Sequence, residues 1–323
     1  MARHTTTGRW QLGLMLALTT MLAWASLPVA LKLTLEFVDP WTLTWFRFAS
    51  AAALLLVWQG PKRSFSGFRR LRQALWALLF IAALGLMGNY VFYLLGLAQI
   101  GPAIAQIIIQ LAPLLMGLGG IAIFGERYNL AQWLGFITLI FGLGFFFHHQ
   151  FSALNSHELA PQSLSERSNA LWQGAIFLGI SAVSWAAYAL AQKQLLRDFS
   201  SMRIMLFIYL FASITLASSA DLQAFHGLNA VQWALLAFCA LNTLVAYGAF
   251  AEALNHWEAS RVSAVLALTP LGTFLVAMLV TYWYPDNLAP ENLDWLSWMG
   301  AIVVVVGSMV TSLAGKKKPK EAE

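Results

Sequence analysis

The sequence predicts an all-α fold: a polytopic membrane protein of ten transmembrane helices, arranged as two inverted five-helix repeats. Three observations lead there. First, 59% of the 323 residues are apolar, only 10% are charged, and the mean hydropathy is +0.68. A soluble domain carries about 45–50% and about 25% respectively, and it needs the charged skin that this chain lacks. Second, the apolar residues fall into ten runs, each near the ~20 residues that cross ~30 Å of hydrocarbon. Third, landmarks in the first five runs recur in order in the last five.

The runs are Trp10 to Leu31, Trp41 to Trp58, Gln73 to Leu95, Gly101 to Ile123, Ala131 to Phe147, Leu171 to Ala191, Arg203 to Ser218, Val231 to Ala251, Ser260 to Trp283 and Leu293 to Ala314. They lack the strict alternation of a membrane β-strand, so helices are expected rather than a barrel. The longest connection, Phe147 to Leu171, is too short for a soluble domain. Arg3, Arg9 and the Ala23-Trp24-Ala25 spacing resemble a signal peptide. The apolar run continues to Leu31, however, and its residues recur later, so it reads as the first helix.

Charge sets the orientation. With alternate connections assigned to the side of the N-terminus, 16 of the 19 basic residues fall there. They include Lys62, Arg63, Arg69, Arg70, Arg72 and the Lys316 to Lys320 run, and only Lys32 and Arg167 fall opposite. The positive-inside rule then places both termini in the cytoplasm of a bacterial-type inner (plasma) membrane. The pI of about 9.4 needs no nucleic-acid partner. The lysine run suits anionic lipid, so the bilayer itself is a partner. Most of the 14 tryptophans lie near span ends, where amphipathic rings prefer the interface. Trp24 and Trp185 lie well inside.

Those two tryptophans belong to the duplication. Trp24-Ala25 and Lys32 in span one recur as Trp185-Ala186 and Lys193 in span six. Tyr90 and Pro113 are matched by Tyr247 and Pro270, and Gly135 and Gly142 have the spacing of Gly300 and Gly307. Because each copy holds an odd number of spans, the second enters the membrane upside down. The expected organisation is a first repeat over 10–147, an extracytoplasmic linker over 148–170, a second repeat over 171–314 and a basic cytoplasmic tail over 315–323. Inverted repeats of this kind are a mark of secondary transporters with a midplane site between the copies.

On these residues the chain resembles the drug/metabolite transporter superfamily with two EamA-type repeats. The resemblance runs over about residues 10 to 314. It is carried by Trp24 to Lys32, Thr44-Trp45-Phe46-Arg47-Phe48, Gln110-Leu111-Ala112-Pro113, Phe124-Gly125-Glu126-Arg127 and Gln132-Trp133-Leu134-Gly135 on to Gly142. It implies ten helices, cytoplasmic termini, and proton- or exchange-coupled export of small metabolites, amino acids or drugs. It also implies peripheral fifth and tenth helices able to support a homodimer. The second repeat departs from the pattern: Tyr282-Trp283-Tyr284-Pro285-Asp286-Asn287 stands where a Gly-Glu is expected.

Polar side chains inside hydrocarbon are costly and mark candidate cavity walls. Gln106 and Gln110 share a face of span four. Ser181, Ser184, Tyr188 and Gln192 form a stripe in span six, with Trp185 beside it. Asn89, Tyr90 and Tyr93 cluster in span three, and Asn242 and Thr243 lie near Tyr247 in span eight. Together with Trp24 these are the candidate substrate-binding residues; interhelical hydrogen bonding is the alternative role for each. Aromatic walls with amides and hydroxyls suit an amphipathic organic solute.

Arg47, the one charge well inside a span, has two readings. It pairs with a substrate carboxylate, or it snorkels or pairs with Glu36 or Asp39. Pro28, Pro113 and Pro270 are hinge candidates, since proline removes a backbone donor; a static kink is the alternative. Glu252 and His256, near Glu258 and Arg261, are the available groups for proton coupling; a solvated helix end is the alternative. The chain carries no motif that implies a cofactor or a metal. It has no H-E-x-x-H, G-x-S-x-G or Walker sequence, which argues against an intramembrane enzyme. It also has no charged ring or filter motif of a channel. A secondary carrier of a small-molecule substrate, with protons or a counter-substrate, is therefore expected ahead of a passive channel or sensing scaffold.

Overall fold

The computed structural model describes residues 9–59, 73–124, 128–156, 161–196, 198–257, 262, 265–286, 288 and 295–314. Among them there is no strand. Eleven α-helices are present: α1 (Trp10–Thr34), α2 (Pro40–Gln59), α3 (Gln73–Gln99), α4 (Pro102–Ile108), α5 (Leu111–Phe124), α6 (Leu130–Ser156), α7 (Pro161–Leu195), α8 (Ser201–Leu216), α9 (Ala230–His256), α10 (Thr269–Trp283) and α11 (Trp295–Leu313). Since α4 and α5 are two pieces of one apolar segment, the helices make ten spans. Seven segments are long and apolar enough to cross a membrane, and three shorter apolar helices complete the set.

Helix ends are set by local chemistry. Asp39 accepts from the backbone N–H groups of Trp41 and Thr42 at the start of α2. Asn129 with Gln132, and Asn229 with Gln232, form reciprocal capping boxes at the starts of α6 and α9. Lys32 Nζ donates to the carbonyls of Leu97, Ala98 and Ile100 at the end of α3. A cation suits that terminus, where carbonyls lack partners and the helix dipole is negative. Lys32 is therefore tied to a helix end. Helix α6 runs on to Ser156 and α7 begins at Pro161, so most of the 148–170 connection is helical. Its polar residues continue the backbone ladder past the hydrocarbon.

The halves pack by interleaving. Three helix pairs carry the most extensive contacts: α3 with α7, α6 with α11, and α1 with α9. The pairing repeats residue by residue. Span one maps onto span six at the Trp24–Trp185 interval of 161 residues, and span three onto span eight at the Tyr90–Tyr247 interval of 157. Thr20 Oγ1 donates to the Ala246 carbonyl across α1 and α9. Its equivalent, Ser181 Oγ, donates to the Asn89 carbonyl across α7 and α3 at 3.0 Å. Gly13 meets Trp257, and its equivalent Gly174 meets Ile100.

The same mirroring holds for α6 and α11. Gly135 lies against Thr311 and Gly300 against Phe146; Gly142 lies against Val304 and Gly307 against Leu139. A Cβ at Gly135 would stand 2.8 Å from the Gly307 carbonyl, so only glycine permits this approach. These four glycines are therefore engaged inside the subunit.

The prolines divide. Pro28 lies inside α1, which runs through it without a break. Span four is broken at Ile109 and Gln110, and Pro113 is the third residue of α5. Ala267 and Leu268 form a turn just before Thr269, and Pro270 is the second residue of α10. Both prolines thus sit in a first turn, where a missing N–H is tolerated. Each marks a break that ends two to three residues upstream of itself.

Candidate functional site

The centre of the bundle is built from aromatic rings around one cation. Phe48 on α2 and Tyr209 on α8 meet with ring centroids 5.7 Å apart. They are also 161 residues apart, so exchanging the halves maps the pair onto itself. The pseudo-twofold axis therefore passes beside this contact. Tyr90 stacks on Phe48 at 4.6 Å. Phe48, Tyr90, Tyr188 and Tyr209 are buried in one cluster.

Arg47, next to Phe48, is 3% exposed. Its guanidinium carbon lies 4.3 Å from the Tyr90 ring centroid, a cation–π geometry. Nη2 donates to Thr243 Oγ1 at 3.1 Å, while Nε is buried with no partner. The pairing with Glu36 or Asp39 does not form: Asp39 caps α2 and Glu36 is exposed. Nor does Arg47 snorkel, because its head is enclosed by α3 and α9. At the same interval of 161 the second half carries Ile208, fully buried. The cation is thus a deliberate break in the symmetry.

The tryptophans flank this centre. Trp24 meets Tyr247 edge-on at 5.5 Å and Phe250 at 5.8 Å. Trp185 meets Tyr188 at 6.4 Å. Tyr188 donates to Met205 Sδ. Each of the two repeat-related tryptophans thus lies edge-on against a tyrosine of the centre.

The amides behave differently from one another. Asn89 Nδ2 donates to Ser181 Oγ at 2.8 Å and to the Ser181 carbonyl at 3.2 Å. With the return bond from Ser181, this is a helix–helix clamp, the interhelical alternative given for Asn89. Asn242 Nδ2 donates to the Ala23 carbonyl at 2.7 Å, but its Oδ1 is buried without a partner. Tyr93 donates to Gln106 Oε1. Gln110, at the break in span four, keeps Nε2 buried and unpartnered. Two donors and one acceptor thus stand unsatisfied inside the membrane span. Such groups are costly unless a ligand or water meets them.

Phe48, Tyr209 and Met205 were not among the sequence candidates. Only the 161-residue interval between Phe48 and Tyr209 could have marked them. Glu252 and His256 pair at 3.0 Å near the end of α9, with the Glu252 side chain 53% exposed. They lie apart from the central group. Glu126, Arg127, Glu258, Arg261, Lys62 to Arg72 and the Lys316 to Lys320 run lie outside the described residues.

The EamA-like transporter family profile matches this chain twice, over residues 11–147 and 172–313. The chain belongs to the EamA-like transporter family. An uncharacterized transporter of Haemophilus influenzae is 37% identical over 309 residues, covering 95% of this chain and 97% of that one. The inner membrane transporter YhbE of Escherichia coli, also uncharacterized, is 35% identical over 303 residues, covering 94% and 91%. An uncharacterized transporter of Archaeoglobus fulgidus is 26% identical over 311 residues. One crystal structure, 19% identical, superposes with a TM-score of 0.62 over 96% of this chain and 98% of its own. That likeness concerns the fold. The EamA family assignment makes the chain a multi-pass membrane transporter.

Proposed function

We propose that this EamA-family protein is a secondary active carrier that exports small organic metabolites, amino acids or related amphipathic solutes, by alternating access. The two halves rock about the central group, with protons or a counter-solute supplying the driving force. Both termini face the cytoplasm of a bacterial-type inner membrane. The observation that carries the reading is the mirrored packing of α1·α9 and α3·α7 around the Phe48–Tyr209 axis, together with unsatisfied polar atoms of Arg47, Gln110 and Asn242 inside the spans. Inverted halves that pack equivalently can exchange roles, and broken helices supply polar groups at mid-depth. Trp24, Trp185, Tyr90, Tyr188 and Tyr247 form aromatic walls; Tyr93 and Gln106 extend them toward the break in span four.

Counterflow in proteoliposomes with a panel of labelled amino acids tests this. Uptake that saturates and is driven by internal unlabelled solute is expected. Unsaturable flux without exchange would indicate a channel, and absence of flux for every solute would overturn the carrier reading.

A further inference from the structure

Resting on the carrier reading, we infer that Arg47 is the docking point for a substrate carboxylate, and that the protein is an exchanger of carboxylate-bearing solutes which returns slowly when empty. Arginine has five N–H donors and no acceptor. Only Thr243 Oγ1 takes one of them, Nε is buried and unpartnered, and no carboxylate among the described residues reaches the group. Its face is already covered by Tyr90, so what remains for a ligand is its edge. A guanidinium edge is a planar fork that fits a carboxylate. Asn242, adjacent to Thr243 in sequence, keeps an orphan acceptor in Oδ1, which suits an ammonium on the same solute.

Electrostatics then sets the mode. A buried charge with no counter-charge is strongly unfavourable in a low-dielectric interior, whereas the paired charge is tolerated. An enclosed intermediate between two open forms keeps Arg47 from water on both sides. It is reached readily when a carboxylate accompanies the arginine and rarely when the site is empty. The loaded carrier therefore crosses in both directions while the empty one lags, which is exchange. Residues Ile208 and Met205 opposite are apolar and buried, so the second half supplies no counter-charge.

The test uses full-length purified protein and matched probes: phenylalanine, 3-phenylpropionate, which keeps the carboxylate, and phenethylamine, which lacks it. Further amino acids are each paired with their decarboxylated amine. Melting temperature is read for wild type, Arg47→Gln and Arg47→Lys, each first confirmed monodisperse. Carboxylate members are expected to raise the wild-type Tm and their amines not to. Arg47→Gln is expected to raise the half-saturation concentration about a hundredfold, with partial recovery in Arg47→Lys. In proteoliposomes, efflux of a bound probe into solute-free buffer is expected to run about tenfold or more below exchange. Amines that bind as well as their parent acids, an unchanged affinity in Arg47→Gln, or net efflux as fast as exchange would overturn the inference while leaving the carrier reading intact. A wild type that neither binds nor moves any probe would overturn both.

Discussion

At the scale of single residues, chemically alike side chains take opposite roles. Asn89 and Asn242 both lie in apolar spans, and both bond a carbonyl on the facing helix. Asn89 is closed off by Ser181, while Asn242 keeps an orphan oxygen. Interhelical hydrogen bonds in membrane bundles contribute about 1 kcal/mol. Asn89→Ala is therefore expected to lower the detergent Tm by that amount of stability and leave transport KM unchanged. Gln110→Ala removes an amide whose Nε2 has no partner, so its Tm should hold while its KM rises about tenfold. Thermal melts and counterflow kinetics on the same preparations separate the two. The sequence shows a polar residue in hydrocarbon but not what faces it. Arg47 stood out as an intramembrane charge, yet its partner Thr243 comes from 196 residues away, beyond the reach of any local pattern.

Among the elements, the glycine spacing in spans five and ten was legible, and so was the pairing of Pro113 with Pro270. What each feature does depended on the packing. Gly307 lies against the Leu139 backbone nitrogen and 2.7 Å, as a built Cβ, from the Gly135 carbonyl, whereas Gly144 has open space around it. Gly307→Leu forces α6 and α11 apart. It should cost about 1–3 kcal/mol or more, seen as a lower Tm and reduced folded yield, while Gly144→Ala should be silent. The breaks at Gln110 and Leu268 could be anticipated only as bends, because the backbone turns two to three residues upstream of each proline. Replacing Pro113 and Pro270 together by alanine allows both spans to run on as straight helices. The double variant should insert normally and exchange solute several-fold more slowly, as read by initial counterflow rates at matched protein amounts.

For the whole molecule, composition was enough to count the spans. Burial and exposure follow: an apolar belt including Val57, Phe141, Ile214 and Leu279 stays exposed on the bundle surface, where lipid rather than water is the partner. The positive-inside assignment predicts that the η-turn Leu222–Phe225, tied to α2 by Asp221 N–H donating to Thr42 Oγ1, faces outside. With Cys239 replaced by alanine, a cysteine at exposed Gln223 should react in intact cells with a membrane-impermeant maleimide, and one at Gln59 only after lysis. What sequence could not supply is the axis, since only the 161-residue interval links Phe48 to Tyr209 and their contact is made by the fold. The central claim is that one site near that axis opens to each side in turn. It is tested most directly by placing a single cysteine at Gln110 and measuring its maleimide reaction rate from each face of oriented vesicles, with and without solute on the opposite side. Alternating access predicts that solute added to one side raises reactivity from one face and lowers it from the other. Equal reactivity from both faces, unmoved by solute, would contradict it.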